Sequence, residues 1–318
     1  TLESNSGWPD FRRRSLPDVK KAAMLAAKDG AWEEYPALAL FRNYNQKTRL
    51  VWMFPMATNI YEGSWVQPIQ TAIIKSQDSF FDPWVGFERV RQSISRVYEG
   101  SGCIMATDFS KTDEHFTEEA SAEVQWVIGQ LFKSKDALEA IGSSLTRMHT
   151  IPLVISPTEM IVGQHGVSSG SNWTNFVETI FDLLLATWVG SQMPWEGLYA
   201  IGDDMAWTTN KYDDRFPELI SEFGSEVGQD INAEKVTNEP DSVKTLQRLF
   251  QRGYNRPDGL CRGVYSTIRA LKSSIYPERF HKPALWSSDM FCARQYMILE
   301  NCVDHPLFEE FVKFVVKG

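Results

Sequence analysis

The chain has 318 residues, is 43% hydrophobic and 13% aromatic with 11 tryptophans, and carries a formal net charge of −9. That composition excludes a disordered chain and points to two or three modules around a large core. The negative total argues against a uniformly basic nucleic-acid binder, but the basic residues are clustered. Residues 35–61 hold no acid beside Arg42, Lys47 and Arg49, and the span Lys244 to Lys272 has seven basic residues against one acid, Asp258. Local basic tracts of this kind decide where a phosphate backbone can lie.

The longest apolar run, Ile180 to Val189, contains Asp182 and is too short to cross a bilayer, so no membrane segment is expected. Cys103, Cys261, Cys292 and Cys302 lie far apart without a CxxC pair and read as reduced core thiols of an intracellular protein. No signal peptide is visible, and a chain beginning at Thr1 reads as a fragment of a longer reading frame.

Residues 1–40 say little beyond a basic triplet at Arg12–Arg14 and a short helix near Asp18–Ala27. Gln46–Pro55 reads as a strand on which Lys47 and Arg49, two apart, share a face. Two cations on one face suit a triphosphate; they also suit a solvated edge strand. Residues 56–100 are mixed, with loops expected at 77–79 and 81–84. The apolar run Cys103–Ala106 is a candidate buried strand that delivers Asp108 at its C-terminal end, with Asp113 five residues on. A helix follows Phe116, its first turn carrying Glu118 and Glu119 toward the positive end of the dipole. Residues 151–162 are apolar and β-rich. They lead into Gly163–Ser171, where three glycines and three serines predict a mobile loop with free backbone N–H groups suited to phosphate or ribose. A largely apolar helix runs from near Asn172 to Val189, with Thr174, Asn175 and Glu178 in its first two turns.

Leu198–Trp207 is the stretch around which the rest is organised. It reads as two apolar strands joined at Gly202-Asp203-Asp204, because Gly accepts positive φ and Asp bonds its own backbone. Adjacent carboxylates at the tip of a buried hairpin repel each other, and desolvation adds to the cost unless a cation neutralises them. A bound magnesium ion is the economical explanation, a solvated Asp-Asp turn the bland one. Downstream, Pro217 opens a helix that ends near Gly224, Lys235 is the cation of a strand-and-turn segment from Gly228, and Thr245–Tyr254 is a strand or hairpin. Beyond Gly263 the chain is mostly helical, with Ser287–Asp289 capping Phe291–Leu299.

In order, these pieces are a basic strand, a strand ending in Asp-x4-Asp, a Ser-Gly loop opening a helix with Thr, a Gly-Asp-Asp hairpin, a lysine turn and a basic tail. Over roughly residues 42–255 that series resembles the viral RNA-dependent RNA polymerases. Asp108 to Asp113 resembles their motif A, Ser169-Gly170-x3-Thr174 motif B, Gly202-Asp203-Asp204 motif C, and Lys235 the motif D lysine. Asp-Phe-Ser-Lys-x-Asp with Ser-Gly-Ser-x-x-Thr-Asn is most like the enzymes of small double-stranded RNA viruses of the picobirnavirus–partitivirus kind.

The resemblance implies an α+β right-hand polymerase fold with an antiparallel palm sheet packed on helices. It implies partial fingers over 1–100, and a palm over 101–240 with an inserted finger segment near 117–160. A primer-grip strand near Leu246–Phe250 and a partial thumb fill 241–318. It implies two Mg²⁺ ions, replaceable by Mn²⁺, on Asp108 and Asp203 with Asp204 assisting. Lys235 would protonate pyrophosphate, and Lys47 and Arg49 would offset triphosphate charge. Asp113, Ser169, Thr174 and Asn175, with Gly170 in the same loop, would read the ribose 2′-hydroxyl. The implied partners are RNA template and product, ribonucleoside triphosphates and a viral capsid protein, in the host cytoplasm within a viral particle.

The chain departs from the pattern at Glu178, where many relatives carry Asn, in its sparse basic finger motif and in its short length. A reverse transcriptase, a catalytically incomplete palm fragment that only binds RNA, and a phosphodiesterase using the same acids are the alternative readings.

Overall fold

A computed structural model describes residues 4–44, 47–276 and 286–317; the side chains of residues 43, 44 and 47 lie outside the described residues. The Lys47 expectation therefore reaches only its backbone. Helix α1 (Pro17–Asp29) starts on a proline, whose missing N–H would be unbonded there in any case, and Gly30 ends it at φ +88°. Strands β1 (Ala37–Tyr44) and β2 (Lys47–Met53) pair antiparallel and set Arg42 opposite Arg49.

Helix α2 (Met56–Ser76) is not legible in the sequence, because Pro68 lies inside it and its apolar residues do not form one stripe. Helix α3 (Asp82–Val85), a single turn started by Pro83, stands where a loop was expected, and α4 (Phe87–Glu99) follows. Next come β3 (Cys103–Ser110), α5 (Thr112–His115), α6 (Glu118–Gly129), α7 (Lys135–Thr150), β4 (Leu153–Ser156) and β5 (Glu159–Ile161). Strand β4 runs parallel to β1, so the 117–160 segment returns to the first sheet, whose order is β2-β1-β4-β5.

The second half of the chain completes the central sheet. Helix α8 (Thr174–Gly190), β6 (Glu196–Ile201), β7 (Asp204–Thr209), α9 (Phe216–Glu226), β8 (Asp230–Ile231) and β9 (Thr237–Asn238) follow in turn. The sheet order is β6-β7-β3-β8, with β9 also on β3, and every pairing is antiparallel. Both faces of this sheet are covered. Met105, Met205 and Trp207 pack with Phe176, Val177 and Ile180 of α8 on one side. Ile104, Ala106 and Ala206 pack with Val90 and Ile94 of α4 on the other. Double coverage explains why Cys103–Ala106 reads as an unbroken apolar run rather than an alternating one.

The chain closes with a three-stranded sheet of β10 (Ser242–Thr245), β11 (Arg248–Gln251) and β12 (Val264–Tyr265). Helices α10 (Thr267–Ile275), α11 (Ser288–Asn301) and α12 (Phe308–Val316) follow it. The β10–β11 hairpin turns on Leu246 and Gln247, at φ +47° and +62°, a primed turn made without glycine. Ser287 caps α11 by accepting the Met290 N–H, as the sequence predicts. Cys103, Cys261 and Cys302 are buried, but Cys292 on α11 is exposed and is not the core thiol expected. Among the described residues, no helix is long and apolar enough to cross a membrane.

Candidate active site

The site is built where β3 meets the β6–β7 hairpin. Ile201 pairs with Asp204, leaving Gly202 and Asp203 as a two-residue turn, and Gly202 takes φ +60°. Positive φ at the first central position is what this hairpin turn requires. Space demands glycine as well: a Cβ at 202 would lie 2.9 Å from Asn175 Nδ2 and 3.2 Å from Glu178 Oε2. Helix α8 holds the turn from below, the Gly202 N–H donating to Thr179 Oγ1 at 2.9 Å.

Across the same sheet, Asp108 is in direct register with Asp204, so three carboxylates gather at one sheet end. Like charges facing each other on adjacent strands oppose the pairing. Burial, then the charges of Asp203 and Asp108, push Asp204 up to about 6, and Asp203 is raised for the same kinds of reason. Lys235 brings its ammonium to 3.8 Å from Asp108 Oδ2.

Two further acids lie beneath the turn on α8. Glu178 is buried, and burial followed by the charges of Asp203 and Asp113 pushes it up to about 8, so at neutral pH it is the uncharged acid. Asp182, one helical turn on, is 2% exposed, and its Oδ2 has no hydrogen-bond partner among the described residues. Burial first and the neighbouring acids second hold it well above the usual carboxylate range. Asp182 and Glu178 share a water-sized hollow with Thr112, Gln229 and Asp203. The sequence signal for Asp182 is an acid inside an apolar helical run four residues after another acid; the motif resemblance does not include it.

The Ser-Gly loop differs from the mobile segment expected. Ser168 Oγ donates to the Met148 carbonyl, Thr174 Oγ1 to the Ser168 carbonyl, and Ser171 Oγ to Glu62. The Trp52 N–H on β2 donates to Ser169 Oγ at 3.3 Å. Gly170 and Gly166 are needed for close approach: a Cβ would come within 2.1 Å of the Trp52 carbonyl oxygen and 2.0 Å of the Asp113 carbonyl oxygen respectively. The loop is therefore wedged between β2 and Asp113. Asp113 is exposed at the rim, with Arg49 near enough to pull its carboxyl down against the burial that raises it. Asn175 accepts from Trp84 Nε1 at 3.1 Å beside Gly202.

The tail from Lys244 to Lys272 is not the open basic track its composition suggested. Arg252 donates to the carbonyls of Tyr98, Gly100 and Gly102, at the end of α4 and in the connection that follows it. Arg248 binds the Asn301 side chain and stacks over Phe87. Arg256 pairs with Asp304 and Glu88, Arg262 binds the Asn255 carbonyl, and Arg269 binds Gln247.

Among the described residues, no three Asp, Glu, His or Cys side chains are already gathered as a metal cluster. The donor set nonetheless fits a hard divalent ion that keeps waters or phosphates as its other ligands. It is all oxygen, it converges from two strands, and the neighbouring acid charges help to raise the proton affinity of Asp203 and Asp204, a strain that a dication relieves.

A family model described as viral RNA-dependent RNA polymerase matches residues 44–263. The potential RNA-dependent RNA polymerase of human picobirnavirus is 33% identical over 338 residues, covering 99% of this chain and 62% of that protein. Two crystal structures of a human picobirnavirus RNA-dependent RNA polymerase, one an insertion-loop deletion mutant, superpose with TM-score 0.86 at 27% identity. They cover all of this chain and 64% to 66% of theirs, so the chain spans slightly less than two thirds of these relatives. The Sicinivirus 3Dpol polymerase, at 13% identity and TM-score 0.64 over 99% of this chain and 78% of that one, shares the fold. With the family model spanning most of the chain and the antiparallel sheet carrying its acids in register, the chain belongs to the viral RNA-dependent RNA polymerases and has their α+β right-hand fold.

Proposed function

We propose that this chain carries out template-directed RNA synthesis from ribonucleoside triphosphates by two-metal phosphoryl transfer, serving viral genome replication and transcription. The observation that carries the reading is the cross-strand register of Asp108 and Asp204 with Asp203 on the turn between. Asp108 and Asp203 would hold two Mg²⁺ ions, with Mn²⁺ able to substitute and Asp204 assisting. When bound, the ions lower the pKa of the primer 3′-hydroxyl and offset charge on the leaving pyrophosphate.

The chain's own residues do the rest. Lys235, beside Asp108, is positioned to give a proton to the pyrophosphate. Arg49, with Lys47 on the same strand and Arg42 across from it, neutralises the triphosphate. Asp113 and Ser169 offer an acceptor and a hydroxyl to the ribose, the 2′-hydroxyl being the feature that separates RNA from DNA substrates. Gly170, Thr174 and Asn175 shape the same wall, since the Thr174 hydroxyl and the Asn175 carbonyl oxygen are engaged within the protein. In this reading the first sheet with the 117–160 segment forms the fingers, residues 101–240 the palm, and the β10–β11 hairpin with the helices after it the primer grip and partial thumb. The capsid partner and the site within a particle rest on the family resemblance alone.

Primer extension on a homopolymer template with Mg²⁺ tests the proposal. Wild type is expected to incorporate ribonucleotides, and Asp203→Ala to lose at least about 10³-fold of that activity. Equal null signals with RNA still bound would make the chain a binding module, and a preference for deoxyribonucleotides would make it a reverse transcriptase.

A further inference from the structure

A buried carboxylate away from the acid cluster ties the Ser-Gly loop to the body of the molecule. Glu62, on α2, is 1% exposed. Its Oε1 accepts the Ser171 hydroxyl at 2.6 Å; its Oε2 accepts the Asn172 backbone N–H at 2.8 Å and the Asn59 side-chain amide at 3.3 Å. Asn59 also donates to the Gly170 carbonyl at 3.0 Å and accepts from Arg14 at 3.0 Å, while the Asn172 side chain returns to the Asn59 carbonyl at 2.7 Å. One helical turn of α2 thus grips three consecutive loop residues, 170 to 172.

A buried carboxylate is an expensive way to secure a helix, since an apolar side chain of similar volume would do it without desolvating a charge. Burial drives the Glu62 carboxyl up to about 7 even with three donors pulling the other way. What the carboxylate secures is the wedge on its far side. Ser169 accepts from Trp52 on β2, Gly170 presses on the Trp52 carbonyl, and Gly166 presses on the Asp113 carbonyl. A shift of this loop must change the gap between the strand bearing Arg49 and the turn bearing Asp113.

We propose that Glu62 is a positioning residue: by fixing Ser171 and Asn172 it holds Ser169 and Gly170 between β2 and Asp113, and so sets the geometry in which a nucleotide's ribose and triphosphate are received. The inference rests on the polymerase reading for what is received, and on hydrogen bonds alone for what is held.

Amide hydrogen exchange on the substrate-free protein, paired with nucleotide kinetics, tests it. Glu62→Leu removes all three acceptor contacts, and Ser171→Ala is the milder second variant in case the first folds poorly. Both are expected to speed exchange at residues 168–172 and at Trp52 by about tenfold or more, with Ala200 and Met205 of the central hairpin unchanged. The KM for nucleotide is expected to rise roughly tenfold while kcat falls less. Unchanged exchange at 168–172, or faster exchange everywhere alike, overturns the proposal, as does a loosened loop with unaltered KM. If wild type incorporates no nucleotide, the polymerase reading fails while the exchange pattern still decides whether Glu62 holds the loop.

Discussion

Arg42 and Arg49 face each other across β1 and β2, exposed and without an ion-pair partner among the described residues. Arg252, in the other basic stretch, reaches the Tyr98 carbonyl at the end of α4 and those of Gly100 and Gly102 in the connection after it, and Arg256 closes on Asp304. Both stretches look alike as charge counts. They differ in what lies within reach. The guanidinium fork suits helix ends, where the last carbonyls have no intrahelical donor, and Arg252 and Arg248 are spent there, while Arg256, Arg262 and Arg269 are held by acids and polar groups. The hairpin arginines repel each other, and beyond the field that Arg49 exerts on Asp113 and Asp203 they close on no ion pair among the described residues. The hairpin arginines therefore mark an anion site by staying exposed and out of close ion pairs among the described residues.

The comparison breaks if the tail arginines prove dispensable. Arg252→Ala is expected to cost about 2 kcal/mol in chemical denaturation, with RNA affinity of the folded fraction unchanged, because it leaves two part-buried carbonyls without their donor. Weakened RNA binding without lost stability would reverse the assignment. The Arg42→Ala, Arg49→Ala double variant is expected to do the opposite: a KM for nucleotide raised about tenfold, with stability within about 0.5 kcal/mol of wild type or slightly higher.

A pH series sharpens the contrast from the acidic side. Asp204 has its carboxyl raised from 3.8 to about 6 in the folded chain. The folded state then binds more protons than the unfolded one between those values, so its contribution to stability is present below 3.8 and lost as pH rises through about 6. Without divalent ions, the melting temperature should fall across that window and Asp204→Asn should flatten the slope. With Mg²⁺, nucleotide incorporation should fall as pH drops through about 6, because a protonated carboxyl is a poor ligand. The smallest effect expected is for Glu178→Gln, which makes the neutral state permanent and should leave incorporation within about threefold of wild type.

The acids were legible in the sequence because their logic is local: an apolar run ending in Asp108, and a Gly-Asp-Asp turn between apolar strands. Helix α8 and the cap at Ser287 were legible for the same reason. What escaped depends on partners far along the chain. Glu62 acquires its meaning from Ser171 and Asn172, about 110 residues away, and Arg252 from carbonyls about 150 residues away. Neither pairing leaves a periodic trace. In the Ser-Gly loop, glycine suggests freedom from sequence alone, whereas Gly166 and Gly170 let two backbones approach closely.

The pairing of Asp108 with Asp204 also limits how this region can diverge. Strand neighbours alternate between faces, so deleting one residue from 103–107 or from 205–209 would rotate an acid into the layer now filled by Met105 and Trp207. Substitutions at 103–107 or 205–209 alter local packing and hydrogen bonds without moving the acids to the other face, whereas a change of length by one residue does move them. Natural length variation among related chains should therefore collect in the connections and spare both strands.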